Sequence, residues 1–173
     1  PDTQQMFTYI LRRYRRPVVI DADGINTLAL QDGPTALPEN SILTPHPKEF
    51  DRLFGSHEND FDRIHTAIRQ AVSMKVIIVL KGHHTFIATP ASGNYFNTTG
   101  NAGLAKGGSG DVLTGIITAL LAQGYTPHAA TLLGVYLHGY AADRAAEALS
   151  AETMTAGDVI LFLSQAFRQF SPR

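Results

Sequence analysis

Val76-Ile77-Ile78-Val79-Leu80 places the tightest limit on how this chain can fold. The run is wholly apolar and mostly β-branched, too short for a stable buried helix and well suited to a strand. Pro17-Val18-Val19-Ile20 is a second such run, suited to a strand buried on both faces, and Ser41-Ile42-Leu43-Thr44 is a third. Helical patterns alternate with them. Residues 3–14 carry Met6, Tyr9, Ile10 and Arg13 near one stripe. Lys48–Phe54 follows a proline acceptable in a first helical turn, and Asp60–Ser73 spaces Phe61, Ile64, Ile68 and Val72 along one side. Val112–Ala122, His128–Leu149 and Thr155–Phe170 complete the helices, the last with Thr155 and Asp158 at capping-box spacing. Thr85–Thr89 and Asn94–Thr98 flank Pro90-Ala91-Ser92-Gly93 as a hairpin. Strand–helix alternation of this kind predicts an α/β layered fold with a mainly parallel sheet, here as a single domain over 1–173.

The chain has 173 residues, a formal net charge of −1 and no cysteine. Near-neutrality removes any global field toward nucleic acid or acidic membrane surfaces. The basic cluster Arg12-Arg13-Tyr14-Arg15-Arg16 reads as the solvated end of a helix, where cations meet the favourable end of the dipole. The lack of cysteine excludes disulfides, thiolate metal sites and cysteine nucleophiles, and with the absence of a long apolar run it points to a cytoplasmic setting. His57, His65, His128 and His138 show no ligand spacing, and no metal site is expected from them.

The chemistry concentrates in Asn101-Ala102-Gly103-Leu104-Ala105-Lys106-Gly107-Gly108-Ser109-Gly110-Asp111, which leads straight into an apolar helix. Glycines let the backbone approach a ligand, and the first amides of a helix lack internal partners, so such a loop can cradle phosphate. A Walker A loop needs Lys-Ser/Thr after its second glycine, whereas Ser109-Gly110 follows Gly108. A dinucleotide fingerprint would need glycine at 113, which is Leu, and Asp111 stands where a nucleophile elbow needs its last glycine. Asp111 either N-caps the helix or puts a carboxylate beside a hydroxyl that reacts with the phosphate.

Taken together, Asp21-Ala22-Asp23-Gly24-Ile25-Asn26, Thr44-Pro45-His46-Pro47-Lys48-Glu49, Lys81-Gly82-His83-His84-Thr85 and Asn101–Asp111 resemble, in order and spacing, the carbohydrate-kinase-like NAD(P)H-hydrate dehydratase family. The resemblance implies a ribokinase-like three-layer αβα sandwich. It implies dehydration of the S form of hydrated NADH or NADPH with ADP or ATP as co-substrate and Mg²⁺ as the ion: the ring hydroxyl is phosphorylated, then phosphate is eliminated. Carried over, Lys81, Gly82, His83, His84 and Thr85 would line the adenine nucleotide, with Gly108 and Gly110 at its phosphates. His46 and Asp111 would hold the hydrated nicotinamide, with Asp111 catalytic.

Lys81 follows a buried strand, where ligands of open α/β sheets gather. His46, stiffened between prolines, would either donate to substrate or cap the helix that follows. Asp21, Asp23 and Asn26, with Asn101 and Lys106, would form the rim of the site, or in the case of the first three a hydrogen-bonded turn. His83 and His84 are expected to diverge, and neither is given a catalytic role. The segment Asp21–Asn26 itself reads as a polar, glycine-containing loop.

The family's opening glycine-rich segment has no counterpart here. The chain is therefore expected to be the C-terminal part of a larger domain, within a protein that carries a fused epimerase domain and forms a homo-oligomer. It binds neither nucleic acid nor membrane in this reading. Two rivals stand beside the dehydratase. One is a kinase of the same superfamily acting on a sugar, hydroxymethylpyrimidine or thiazole alcohol, against which Thr44-Pro45-His46-Pro47 and Asn101–Gly108 weigh. The other is a non-catalytic nucleotide sensor.

Overall fold

The computed structural model describes residues 2–30, 37–91 and 93–170. Pro1, most of the Pro/Gly-rich connection before Ser41, and Ser92 of the hairpin turn lie outside the described residues. The chain divides into two compact units: residues 1–82 with 86–95, and residues 83–85 with 96–173.

The sheet has strands β1 (Val19–Ile20), β2 (Ile42–Leu43), β3 (Ile77–Leu80), β4 (Phe86–Ala88) and β5 (Asn94–Phe96), adjacent in that order, all but Phe96 in the first unit. β1–β2 and β2–β3 are parallel, while β3–β4 is antiparallel, so the sheet is mixed rather than uniformly parallel. The register aligns Ile20 with Leu43, Leu43 with Ile78, and Ile78 with Ala88 across the sheet. These side chains share a core with Leu11, Ile25, Leu28, Phe50, Ala67 and Ala71. Every residue of β3 is buried, which explains why the run contains no polar position.

Four helices belong to this unit: α1 (Asp2–Arg13), α2 (Ala22–Leu30), α3 (Pro47–Phe54) and α4 (Asp60–Met74). α2 corrects the expectation of a loop at Asp21–Asn26. Its glycine is a close-approach residue: a Cβ on Gly24 would stand 2.8 Å from Ile20 Cγ2, and beside it Ile25 and Leu28, three apart, are fully buried. Two predicted helical stripes are also displaced. In α4 the small residues Ala67 and Ala71 face the core, which leaves Phe61 and Val72 at the margins and exposed. In α1 the buried residue is Leu11, with Phe7 packed beside it, and Met6, Tyr9 and Ile10 are exposed. Arg12 and Arg13 do occupy the exposed last turn.

The second unit contains α5 (Ser109–Ala122), α6 (Pro127–Leu149) and α7 (Ala156–Arg168), preceded by a short 3₁₀ turn at Ala102–Leu104. Small residues let α6 pack closely. A Cβ on Gly134 would fall 2.7 Å from Ile117 Cγ1, and one on Gly139 would fall 2.7 Å from the carbonyl of Thr99. α7 opens with the predicted capping box, in which the Thr155 hydroxyl and amide hold the Asp158 carboxyl below its ordinary range. No helix among the described residues is long and apolar enough to cross a membrane.

α3 and α4 are joined by ions rather than by apolar contact alone. Arg63 donates from Nε and Nη2 to the two Asp51 oxygens at 3.0 and 2.8 Å, and His57 Nδ1 lies 2.8 Å from Asp51 Oδ1. The Arg63 hydrogen bonds, then His57, hold the Asp51 carboxyl below its usual value against the opposing effect of burial. A carboxyl lowered on folding stabilises above its unfolded value of about 3.9, and that contribution is lost as pH falls through the folded value. Asp51→Asn is expected to lower stability at pH 7 by about 1 kcal/mol, the discounted value of a partly exposed pair. Urea titrations of variant and parent should converge below pH 4, and parallel curves from pH 7 to 3 would show that the pair contributes nothing.

Candidate functional site

In the first unit, the C-terminal ends of three parallel strands carry a chain of charged groups. Parallel register sets these ends side by side: Thr44 N donates to Ile20 O at 3.1 Å, and Lys81 N to Pro45 O at 2.9 Å. Asp21, His46 and Lys81 thereby come to one rim. Lys81 Nζ donates to Asp21 Oδ1 at 2.8 Å and lies 4.0 Å from Glu49 Oε2. Its ammonium is therefore engaged with carboxylates of the protein itself.

Of the alternatives for His46, the structure displays the cap. His46 Nδ1 accepts from the amides of Lys48 and Glu49 at 3.1 and 3.2 Å, and Glu49 Oε2 accepts from His46 N at 2.8 Å. Because Nδ1 is an acceptor, the ring proton sits on Nε2, 3.2 Å from Glu49 Oε1. The ring remains 44% exposed, so capping leaves one face open. Glu49, missed in the sequence reading, is the buried hub of this group. Its position three residues after the cap, the spacing of a capping box, was the available signal.

Asp23 and Asn26 lie on the first turns of α2, not in a loop. Asn26 Nδ2 reaches Asp23 Oδ1 at 3.4 Å, and Arg52 Nη1 donates to Asn26 Oδ1 at 3.0 Å. Gly82 is exposed at the end of β3.

In the second unit, His83 and His84 are exposed and do not diverge; their rings meet edge to face with centroids 4.4 Å apart. The backbone bends here instead of running extended, so the alternation of side chains that a strand imposes is lost. Thr85 O accepts from Asn97 N at 2.9 Å.

The glycine-rich loop is held by three side chains, Asn101 and Lys106 of its own and Asp143 from α6. Asp143, on α6, accepts from Gly100 N at 2.9 Å and from Asn101 Nδ2 at 3.0 Å, while Asn101 Oδ1 accepts from Gly103 N at 2.9 Å. Lys106 Nζ donates to the carbonyls of Ala151, Glu152 and Met154 at 3.1, 2.6 and 2.8 Å. Asp143 lies 43 and 42 residues from its partners Gly100 and Asn101, and no local pattern could have singled it out.

Beyond the loop, Gly108 takes φ 89°, a left-handed conformation that favours glycine, and N-caps α5 with no side-chain hydrogen bond. Gly110 and Asp111 are the second and third residues of that helix. The Asp111 side chain is exposed, and among the described residues it forms no hydrogen bond or ion pair. It is not a plain cap. What this leaves is a helix start whose Ser109 amide donates to Lys106 O at 3.4 Å, followed by one unpaired carboxylate. Among the described residues no cluster of three or more His, Cys, Asp or Glu side chains forms a metal site.

A parallel-strand sheet edge followed by a glycine loop and the N-terminus of an apolar helix defines a ribokinase-like α/β fold. A solved ribokinase-like superfamily protein from Enterococcus faecalis superposes with TM-score 0.83 at 30% identity, over 97% of this chain and 58% of that one. The ADP/ATP-dependent NAD(P)H-hydrate dehydratase of Bacillus subtilis, crystallised with ATP and Mg²⁺, superposes with TM-score 0.85 at 38% identity, over 97% of this chain and 60% of that one. The chain belongs to the NAD(P)H-hydrate dehydratase family, whose sequence model matches residues 1–164.

Among curated relatives, the ADP-dependent (S)-NAD(P)H-hydrate dehydratase of Neisseria meningitidis is 45% identical over 133 residues, covering 74% of this chain and 45% of that protein. The bifunctional NAD(P)H-hydrate repair enzyme of Moorella thermoacetica is 41% identical over 177 residues, covering 97% of this chain and 32% of that protein. The chain thus spans from about a third to a little under half of these relatives.

If His46 acts first as a cap, His46→Ala should lower stability by about 0.5–2 kcal/mol, and His46→Asn, which keeps an acceptor for the same amides, should recover most of it. Thermal unfolding of the three proteins decides this, and equal losses in both variants would refute the capping role.

Proposed function

We propose that this chain carries the nucleotide-binding part of an enzyme that dehydrates the S form of hydrated NADH or NADPH with ADP or ATP. The observation that carries the reading is the start of α5: Gly108 in a left-handed turn, no side-chain cap, and Asp111 exposed without a partner. Membership of the family and the names of its relatives support the reaction; the helix start supports its mechanism.

Under this reading the amides of Gly108, Gly110 and their neighbours receive the terminal phosphates, where the helix dipole favours negative charge. Asp111 accepts the proton of the ring hydroxyl as its oxygen attacks the terminal phosphorus of the nucleotide. ADP then leaves as AMP, or ATP as ADP. Loss of the phosphate together with a proton from the adjacent ring carbon restores the double bond and releases NAD(P)H and phosphate, the proton passing to phosphate or water. The resemblance assigns His46 to the hydrated ring and Lys81 to Thr85 to the adenine nucleotide.

Mg²⁺ keeps several waters and is bound largely through substrate phosphates, so it would be carried into this site by the nucleotide, with Asp111 kept as the base. Bound there, the ion would neutralise phosphate charge. The larger protein is proposed to include the fused epimerase domain; the names of bifunctional relatives are consistent with that.

The test is a coupled assay on the full-length protein with hydrated NADH, ADP and Mg²⁺, following recovery of absorbance by the reduced ring. Turnover is expected, and Asp111→Asn should cut the rate by at least ~10²-fold while leaving AMP affinity nearly unchanged. Accumulation of a phosphorylated alcohol without ring recovery would replace the dehydratase by a kinase. Nucleotide binding with no turnover of either kind would leave a sensor.

A further inference from the structure

A lysine in a phosphate-accepting loop is ordinarily read as a ligand of the phosphate, and the structure assigns Lys106 a different role. We propose that Lys106 is a positioning residue whose ammonium fastens the glycine loop to the turn between α6 and α7, and that it does not contact the nucleotide. The proposal rests on the reading of this loop as the phosphate site.

An ammonium has three N–H donors and no acceptor. Those of Lys106 are all committed, to the carbonyls of Ala151 at 3.1 Å, Glu152 at 2.6 Å and Met154 at 2.8 Å. The same turn makes contact on either side of it. A Cβ on Gly103 would stand 2.5 Å from Met154 Sδ and 2.8 Å from Ala151 O, and one on Gly108 would stand 3.2 Å from Ala156 Cβ. At Gly107, between them, a Cβ would meet nothing within 4 Å. The loop is therefore packed against residues 151–156 through positions 103, 106 and 108 and is open at 107.

Glycine-rich segments carry the greatest backbone freedom, and although Asn101 Oδ1 holds Gly103 N within the loop, Gly107 and Gly108 gain order from restraint outside it. Asp143 restrains its first residues through Gly100 N and Asn101 Nδ2, and Lys106 restrains the last. Charge-assisted bonds to carbonyls suit this task better than neutral ones. A lysine so bound cannot turn to a phosphate without giving up all its partners.

The experiment compares the full-length protein with its Lys106→Met and Lys106→Ala variants. Hydrogen exchange of the amides at 103–108 is measured with no nucleotide present, and ADP affinity is measured by calorimetry. Because the restraint acts in the free protein, exchange in both variants should rise about tenfold or more. ADP should bind about tenfold more weakly while the unfolding midpoint moves little. Alanine removes Cγ, Cδ, Cε and Nζ, so n-propylammonium should restore ADP affinity to Lys106→Ala and leave Lys106→Met, whose side chain fills the space, unrescued. Unchanged exchange in the free variants, with weaker ADP binding, would overturn the proposal and make Lys106 a phosphate ligand; unchanged exchange and affinity would overturn it equally. Should wild type prove to bind no ADP, the proposed function fails, and the nucleotide-free exchange still decides whether Lys106 locks the loop.

Discussion

The bonds from one ammonium to three backbone carbonyls set the conditions for the second unit. Lys106 donates to the carbonyls of Ala151, Glu152 and Met154. The residue is exposed, so water competes for each bond and the sum is worth far less than in a dry interior. Even so, the geometry is decisive. A segment with several glycines loses more conformational freedom on ordering than any other, and its own side chains offer little to offset that. Beside the internal Asn101–Gly103 bond, restraint comes from outside: from the turn beyond α6 through Lys106, and from α6 itself through Asp143. With both in place, Gly108 can hold φ 89° and begin α5 with no cap.

The first unit solves a related problem with different chemistry. Parallel pairing of β1, β2 and β3 brings the residues after each strand to one rim, and that rim contains two carboxylates, an imidazole and an ammonium. Burying the Glu49 carboxylate would be costly without partners. It has the amide and Nε2 of His46, and Lys81 at 4.0 Å. In return it fixes the tautomer and direction of the His46 ring while α3 receives its cap. A single capping arrangement thus shapes both a helix and the open face of an imidazole.

How far the sequence could be read follows from where each signal resides. Local signals were legible. The apolar run at 76–80 is β3, Pro47 opens α3, and Thr155 with Asp158 forms the capping box of α7, because each depends on residues within a few positions. Signals that depend on packing partners misled. Gly24 looked like a loop residue because what demands glycine there is Ile20, on the preceding strand. Phe61 and Val72 looked like core because periodicity cannot tell that Ala67 and Ala71 face the sheet. At the candidate site the immediate partners of the expected residues were not legible. Asp143 is far away in sequence, and the carbonyls that hold Lys106 have no sequence signature at all.

The partners of the two lysines bear on the proposed chemistry. Lys81 is matched to Asp21 and lies near Glu49, and Lys106 is matched to carbonyls, so each ammonium has an acceptor within the protein. Phosphate charge would then be met by backbone amides and by the dipole of α5. Such groups are fixed in place and need little reorganisation as charge develops, which is the condition under which electrostatic stabilisation is most effective. They also leave the carboxylate of Asp111 unpaired. A free ammonium in the loop would form an ion pair with that carboxylate and lower its tendency to accept a proton. With Asp111 as the proposed base, engagement of Lys106 with the 151–154 carbonyls would keep one competing cation away from it.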